Sequence, residues 1–89
     1  EESSDMSDGN ETVSAIEYRV QVLANDRQVP TKSKKFKGEN VSEYYDRGLY
    51  KYTVGHFRTR AEAEKKMRRL RAKFPQAFVV RMENGKRAD

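Results

Sequence analysis

One segment of the chain has the apolar periodicity of an amphipathic helix, and it constrains the fold more than any other feature. Its apolar residues recur at intervals of four, three and four positions and form one stripe: Ala63, Met67, Leu70 and Phe74. Thr59 and Glu62 form a capping-box pattern that predicts the helix start, and Pro75 after Phe74 predicts its end. Because such a helix must bury its stripe, it needs a partner layer.

The rest of the chain supplies strands for that layer. Residues 16–24 alternate, with one predicted face holding Tyr18, Val20, Val22 and Ala24 and the other holding Glu17, Arg19, Gln21 and Leu23. Residues 41–45 and 49–57 are rich in aromatic and β-branched residues, and the Asp-Arg-Gly sequence between them predicts a hairpin turn. Residues 76–82 form the last predicted strand, and the polar tail after it contains an Asn-Gly pair that suits a turn.

These elements predict an α+β fold in which the helix covers one face of a sheet and leaves the other face open. Alternate residues of the strand at 49–57 share a face, with Tyr50, Tyr52 and Val54 toward the helix and Leu49, Lys51, Thr53 and Gly55 on the open side. Residues 25–40 contain Pro30, Gly38 and few apolar anchors, which predicts a loop with one short helical turn. The open face would suit an extended ligand.

Charge divides the chain into two parts. Residues 1–14 hold five acidic residues, no basic residue and only two apolar side chains, which is typical of a disordered linker. Residues 15–89 hold 19 basic and nine acidic residues, a net charge of +10. This folded part should bind an anionic partner, either nucleic acid, an anionic membrane surface or an acidic polysaccharide. No apolar run is long enough for direct membrane insertion.

Four blocks of the sequence resemble, in order and spacing, the successive blocks of sporulation-related repeat (SPOR) domains. They are YRVQVLA at 18–24, GLYKYTVGHF at 48–57, TRAEAEKKMRRLR at 59–71 and FPQAFVVR at 74–81. The resemblance implies a ferredoxin-like (RNP-like) fold, a four-stranded antiparallel sheet with its helices on one face and glycan bound on the other. The family's first helix falls within residues 25–40, so we expect it to be short or irregular here.

The same resemblance implies a function for residues 15–89 as a SPOR-like glycan-binding domain. It would bind peptidoglycan glycan strands, stripped of their peptides, in the periplasm of a Gram-negative bacterium and often at the division septum. The KYTVG sequence at 51–55 and NGKR at 84–87 look like the C-terminal module of Bacteroidetes N-acetylmuramoyl-L-alanine amidases. The domain itself would be a monomeric, non-catalytic module that targets an attached cell-wall hydrolase or division protein.

The resemblance also implies which residues touch the glycan. The family's first-strand glutamine falls on Gln21, its tryptophan on Leu49, its arginine on Lys51 and an apolar residue of its last strand on Phe78. Arg19 shares the predicted open face, and both Arg19 and Lys51 could pair with the lactyl carboxylates that peptide removal exposes. Gln21 could form hydrogen bonds with an acetamide or a hydroxyl. Each of these residues could instead be an ordinary surface or core side chain.

Two other functions compete with glycan binding. Tyr45, Tyr50 and Tyr52 on a basic sheet could hold single-stranded nucleic acid, but two of them should face the helix and the signature of the RNA-recognition motif is missing, so we expect no nucleic-acid partner. Catalysis is not expected because the chain has no cysteine and only one histidine, His56, which we place in a loop. We therefore predict no catalytic residues, no metal site and no cofactor.

Two basic runs have less defined roles. The run KKMRRLRAK at 65–73 should form the solvated face of the helix, opposite its apolar stripe. The run KSKKFK at 32–37 could either flank the glycan groove or form an ordinary surface loop.

Overall fold

The computed structural model describes residues 16–88 and contains a five-stranded antiparallel sheet and one α-helix. The strands are β1 (Ile16–Asn25), β2 (Val41–Asp46), β3 (Leu49–Phe57), β4 (Phe78–Glu83) and β5 (Lys86–Arg87). The helix is α1 (Arg60–Leu70), and a 3-10 turn (Lys34–Phe36) lies in the connection from β1 to β2. The sheet order is β2-β3-β1-β4-β5. The predicted linker at 1–14 lies outside the described residues.

The prediction of four strands was wrong by one. Asn84 and Gly85 have φ values of 54° and 81°, the two positive values of a tight hairpin turn, and they return the chain along β4 as β5. Arg47 and Gly48 make the same kind of turn between β2 and β3, with φ values of 52° and 82°. Both predicted turns are confirmed, and the second of them adds a strand.

The predicted alternation of β1 holds only as far as Gln21. The register with β3 shifts between Gln21 and Leu23, where β1 carries one extra residue. After this bulge Leu23 lies opposite Tyr52 and packs on the helix side, while Ala24 lies opposite Lys51. Leu23 and Ala24 therefore exchange the faces that the sequence pattern gave them.

A second shift lies near the other end of the same strand pair. Between Val54 and Phe57, β3 carries one residue more than β1 does between Tyr18 and Val20. Gly55 sits in this bulge with a φ of 80°, and a Cβ added to it would lie 2.5 Å from Cε2 of Phe57. Any other residue at this position would have both a strained backbone and a steric clash, and glycine avoids both.

Helix α1 packs on the sheet face predicted for it. The main core cluster consists of five buried residues: Val20, Val54, Leu70, Phe74 and Ala77. Ala63 is also buried and Met67 packs against this cluster, so the predicted stripe is confirmed. The helix ends at Leu70, one turn earlier than predicted, although the amide of Phe74 still donates to the Leu70 carbonyl at 2.7 Å.

The helix start differs from a full capping box in one bond. The amide of Glu62 donates to the Thr59 hydroxyl at 3.2 Å, as predicted. The Glu62 carboxylate accepts a hydrogen bond from the same hydroxyl at 3.1 Å instead of one from the Thr59 amide. Thr59 still satisfies one of the helix's first amides.

The connection from β1 to β2 packs on the same side of the sheet as α1. Phe36 from the 3-10 turn and Val29 form a buried cluster with Tyr52 of β3. Lys73 after α1 pairs with Glu39 at 2.9 Å. The expectation of a short, irregular first helix is confirmed, and the basic run at 32–37 lies with α1 instead of beside the open face.

The sheet curls into a half-barrel instead of the flat, open sheet expected of a ferredoxin-like fold. Its two edge strands, β2 and β5, approach each other to within 8 Å between Cα atoms. The surface opposite α1 is consequently concave, and we refer to it as the concave face. Five residues on this face are buried although no helix covers it: Gln21, Lys51, Thr53, Val80 and Met82.

Candidate functional site

The concave face brings together all five residues that the sequence analysis selected. Directly opposed residues of neighbouring strands share a face, and Gln21 lies opposite both Thr53 and Phe78. The same registers place the other three on that surface: Arg19 opposite Val80, Lys51 opposite Ala24, and Leu49 on the alternation of Lys51. Their common placement follows from strand pairing alone.

Gln21 lies in the floor of the concave face and is held by a tyrosine. Its side chain is almost fully buried, with 5% of the residue exposed. The Tyr44 hydroxyl donates to its carbonyl oxygen at 2.8 Å. The carbonyl oxygen accepts this bond, and the NH₂ group is the hydrogen-bond donor of the Gln21 amide.

Lys51 is paired with a carboxylate of its own sheet. Its Nζ lies 2.9 Å from Oδ2 of Asp46 and 6.0 Å from the centre of the Tyr44 ring. The hydrogen bond from Lys51 holds the pKa of Asp46 below its usual value, against the effect of burial, and the charges of Lys51, Arg47 and Arg87 add to the lowering. Lys51 is therefore a positioned cation with a carboxylate already beside it.

Arg19 has a similar partner toward the start of β1. Its Nη2 and Nε lie 2.6 Å and 3.0 Å from Oε1 of Glu17, whose other oxygen lies 2.7 Å from Nδ1 of His56. Burial raises the pKa of Glu17, but hydrogen bonds from Arg19 and His56 outweigh it and the net pKa is lowered. His56 belongs to strand β3, so its prediction as a loop residue was wrong.

The two apolar candidates, Leu49 and Phe78, lie at the rim of the concave face. They are 36% and 39% exposed, whereas Gln21 and Lys51 are buried. Phe78 lines a depression of about 260 Å³ together with Gln21, Val22, Leu23, Ala24 and Gln76. Exposed apolar side chains therefore lie beside a buried amide in this depression.

A second depression, of about 350 Å³, lies where the two edge strands approach each other. Its lining comes from both edges and the turns beside them: Tyr44, Tyr45, Asp46, Arg47, Gly85, Lys86 and Arg87. Sequence reasoning missed Tyr44, Asp46 and Arg87 as parts of this surface. The structure closes this hairpin with a two-residue turn at Arg47 and Gly48, which places Tyr44 opposite Lys51. The predicted turn at 46–48 did not specify that register.

The concave face combines several kinds of chemical group. Within residues 16–88, no group of three or more histidine, cysteine, aspartate or glutamate side chains could hold a metal ion. The face offers an amide, a tyrosine hydroxyl, cations held by carboxylates, and exposed apolar rims. Such a combination has the groups to form hydrogen bonds, ionic contacts and apolar contacts with a ligand. In the described part of the chain no helix is long and apolar enough to cross a membrane.

A curled sheet with one helix on its back and a mixed polar and apolar concave face defines a small ligand-binding module. The chain matches the SPOR domain family over residues 15–81, most of its length, and it belongs to that family. SPOR domains are peptidoglycan-binding modules of the cell envelope with a role in cell division, and they bind their ligand without catalysis. No curated protein sequence and no solved structure gives a significant match to the chain.

Proposed function

We propose that this chain binds the glycan strands of peptidoglycan along its concave face, with a preference for strands that have lost their stem peptides. The observation that carries the proposal is the gathering of Gln21, Lys51, Arg19, Leu49 and Phe78 on one surface of a SPOR domain. Neither α1 nor the connection from β1 to β2 covers that surface, because both pack on the opposite side of the sheet.

The ligand has the chemistry that this surface complements. Removal of the peptides leaves a lactyl carboxylate on each muramic acid residue, between sugars that carry hydroxyls, acetamides and apolar ring faces. Gln21 would donate to an acetamide or hydroxyl, and Leu49 and Phe78 would lie against ring faces. Arg19 and Lys51 would interact with the carboxylates.

The internal ion pairs affect how the carboxylates bind. Glu17 and Asp46 hold Arg19 and Lys51 in fixed positions before any ligand arrives. A ligand carboxylate must share each cation with the internal carboxylate or displace that carboxylate. Its binding free energy is therefore smaller than it would be at an unpaired cation. We expect affinity per sugar to be modest, with recognition depending on several sugars along the strand.

In the complete protein, the domain at 15–89 would act as a targeting device and the acidic segment at 1–14 as its tether. The attached partner would be a cell-wall hydrolase, such as an N-acetylmuramoyl-L-alanine amidase, working at the septum in the periplasm. Holding the enzyme on the glycan raises its local concentration there without any part in its chemistry. One domain per ligand site, acting as a monomer, is sufficient for this role.

Cosedimentation with purified sacculi tests the proposal, using sacculi before and after an amidase has removed the peptides. We expect more binding to the denuded sacculi, and a roughly threefold to tenfold loss of affinity in Gln21→Ala and Lys51→Glu. Lys65→Glu makes the same charge change on the exposed surface of α1 and should bind nearly as well as the wild type.

Two results would contradict the proposal. One is binding that does not depend on peptide removal or on either substitution. The other is binding to sacculi that a single-stranded oligonucleotide displaces at equal charge concentration, which would favour the nucleic-acid alternative.

A further inference from the structure

The last strand, β5, lies beyond the part of the chain that matches the family, and it adds an arginine to the concave face. Arg87 pairs with Met82 across the β4–β5 hairpin, and Met82 in turn pairs with Glu17 of β1. Directly opposed residues share a face, so Arg87 projects from the same side as Arg19 and Gln21. None of the five predicted site residues belongs to this strand.

The side chain of Arg87 runs along the concave face toward Phe78. Its Cζ lies 5.5 Å from the centre of the Phe78 ring, within the range of a cation–π contact. Met82 and Phe78 are separated on β4 by about 13 Å, at roughly 3.3 Å per residue, with Val80 between them on the same face. Arg87 therefore lies on the same side of the sheet as Val80, which is fully buried without a covering helix.

The contact between Arg87 and Phe78 joins the two depressions of the concave face. Phe78 lines the depression beside Gln21, and Arg87 lines the one between the edge strands. A glycan strand that follows the concave face from one depression to the other must pass this pair. Arg87 and Asp46 line the same depression from opposite edge strands, and the charge of Arg87 helps to lower the pKa of Asp46.

We propose that Arg87 is a specificity-determining residue that recognises the free lactyl carboxylate of a sugar lying against Phe78. This inference rests on the proposed function and extends it to the feature that distinguishes denuded glycan from peptide-bearing glycan. A guanidinium can bind a carboxylate through two parallel hydrogen bonds, which a lysine cannot do. Its contact with the Phe78 ring limits its rotamers before binding, which lowers the entropy lost on carboxylate capture.

A comparison of two ligands with two proteins tests this role. The ligands are denuded glycan strands and the same strands with their lactyl carboxylates converted to neutral amides. The proteins are the wild type and Arg87→Gln, with Arg69→Gln as a control that removes the same charge from the exposed surface of α1. Affinities are measured by isothermal titration calorimetry at fixed ionic strength, because exposed charges are sensitive to salt.

We expect the wild type and Arg69→Gln to prefer the carboxylate form by roughly threefold to tenfold, and Arg87→Gln to lose most of that preference. Arg87→Lys should recover only part of it. If Arg87→Gln keeps the full preference for the carboxylate form, Arg87 does not recognise the carboxylate. The same conclusion follows if Arg87→Gln lowers the affinity for both ligands equally, as a packing defect would. If the wild type binds neither form, the proposed function fails as well, and this outcome is distinct from the other two.

Discussion

Replacement of Tyr52 by phenylalanine removes one hydroxyl from the centre of the fold and tests how the connection from β1 to β2 is held. The Tyr52 side chain is fully buried, and its hydroxyl accepts a hydrogen bond from the Val29 amide at 2.6 Å and donates one to Glu43 at 2.9 Å. Phenylalanine keeps the ring and its contact with Phe36, whose centre lies 4.9 Å away. The substitution therefore isolates the hydroxyl.

The magnitude follows from what the lost hydroxyl leaves behind. The Val29 amide would be buried without a partner, which destabilises a protein by about 1–3 kcal/mol. The Glu43 carboxylate keeps a hydrogen bond from Gln28 at 3.0 Å, so its contribution to the loss is small. We therefore expect Tyr52→Phe to lower the free energy of unfolding by about 2 kcal/mol, or the melting temperature by about 8–16 °C for a domain of this size.

Urea unfolding at neutral pH measures this loss, with Tyr45→Phe as the matched control because Tyr45 is 63% exposed. The control should change stability by less than about 0.5 kcal/mol. Burial raises the pKa of Tyr52 above its usual 10.0, so its contribution is complete below pH 10 and is lost as the pH rises through the folded-state pKa. The difference in free energy of unfolding between wild type and Tyr52→Phe should therefore become smaller as the pH rises through this range. A Tyr52→Phe loss no larger than that of Tyr45→Phe would refute the reasoning.

Two further changes test the pairing of β1 with β3. Gly55→Ala should lower the free energy of unfolding by about 2–3 kcal/mol, because it combines a positive φ with a clash against Phe57. Gly38→Ala is the control, because Gly38 has a similar φ and no neighbour within 4 Å, and it should lower the free energy of unfolding by only about 1 kcal/mol. Equal losses for the two variants in urea unfolding would argue against the clash. Glu17→Gln should lower the free energy of unfolding by up to about 1 kcal/mol at neutral pH, because it breaks the ion pair with Arg19. Since the pKa of Glu17 is lowered from 4.5, this contribution is present above pH 4.5 and is lost as pH falls through the folded-state pKa. A gap between wild type and Glu17→Gln that persists well below that pKa would contradict it.

The sequence pattern predicted the parts of the fold that depend on local periodicity. The stripe of α1, the hairpin at 46–48 and the alternation of β3 each involve neighbouring residues, and each is confirmed. The fifth strand was missed because two polar residues after a turn carry no apolar alternation. The exchange of Leu23 and Ala24 was missed because a bulge is set by pairing with another strand and leaves no pattern within β1.

The site shows the same division between local and long-range information. Alternation was enough to predict that Gln21 and Lys51 lie on one face, and the structure places them there. The carboxylates beside Arg19 and Lys51 could not be inferred, because Asp46 approaches Lys51 only after the hairpin has formed. The sequence pattern also could not predict Arg87 as part of the site, because its position depends on the fifth strand and on the curl of the sheet.

The central claim is that the concave face binds glycan, and amide chemical-shift mapping tests it most directly. A ¹⁵N-labelled sample of the chain is titrated with denuded glycan strands while backbone and side-chain amide signals are followed. We expect the largest shifts at the Gln21 side-chain NH₂ and in β1, β3 and β4 around Gln21, Lys51 and Phe78, with α1 nearly unchanged. Shifts concentrated in α1 and the basic run at 32–37 would contradict the claim, because both lie on the opposite side of the sheet.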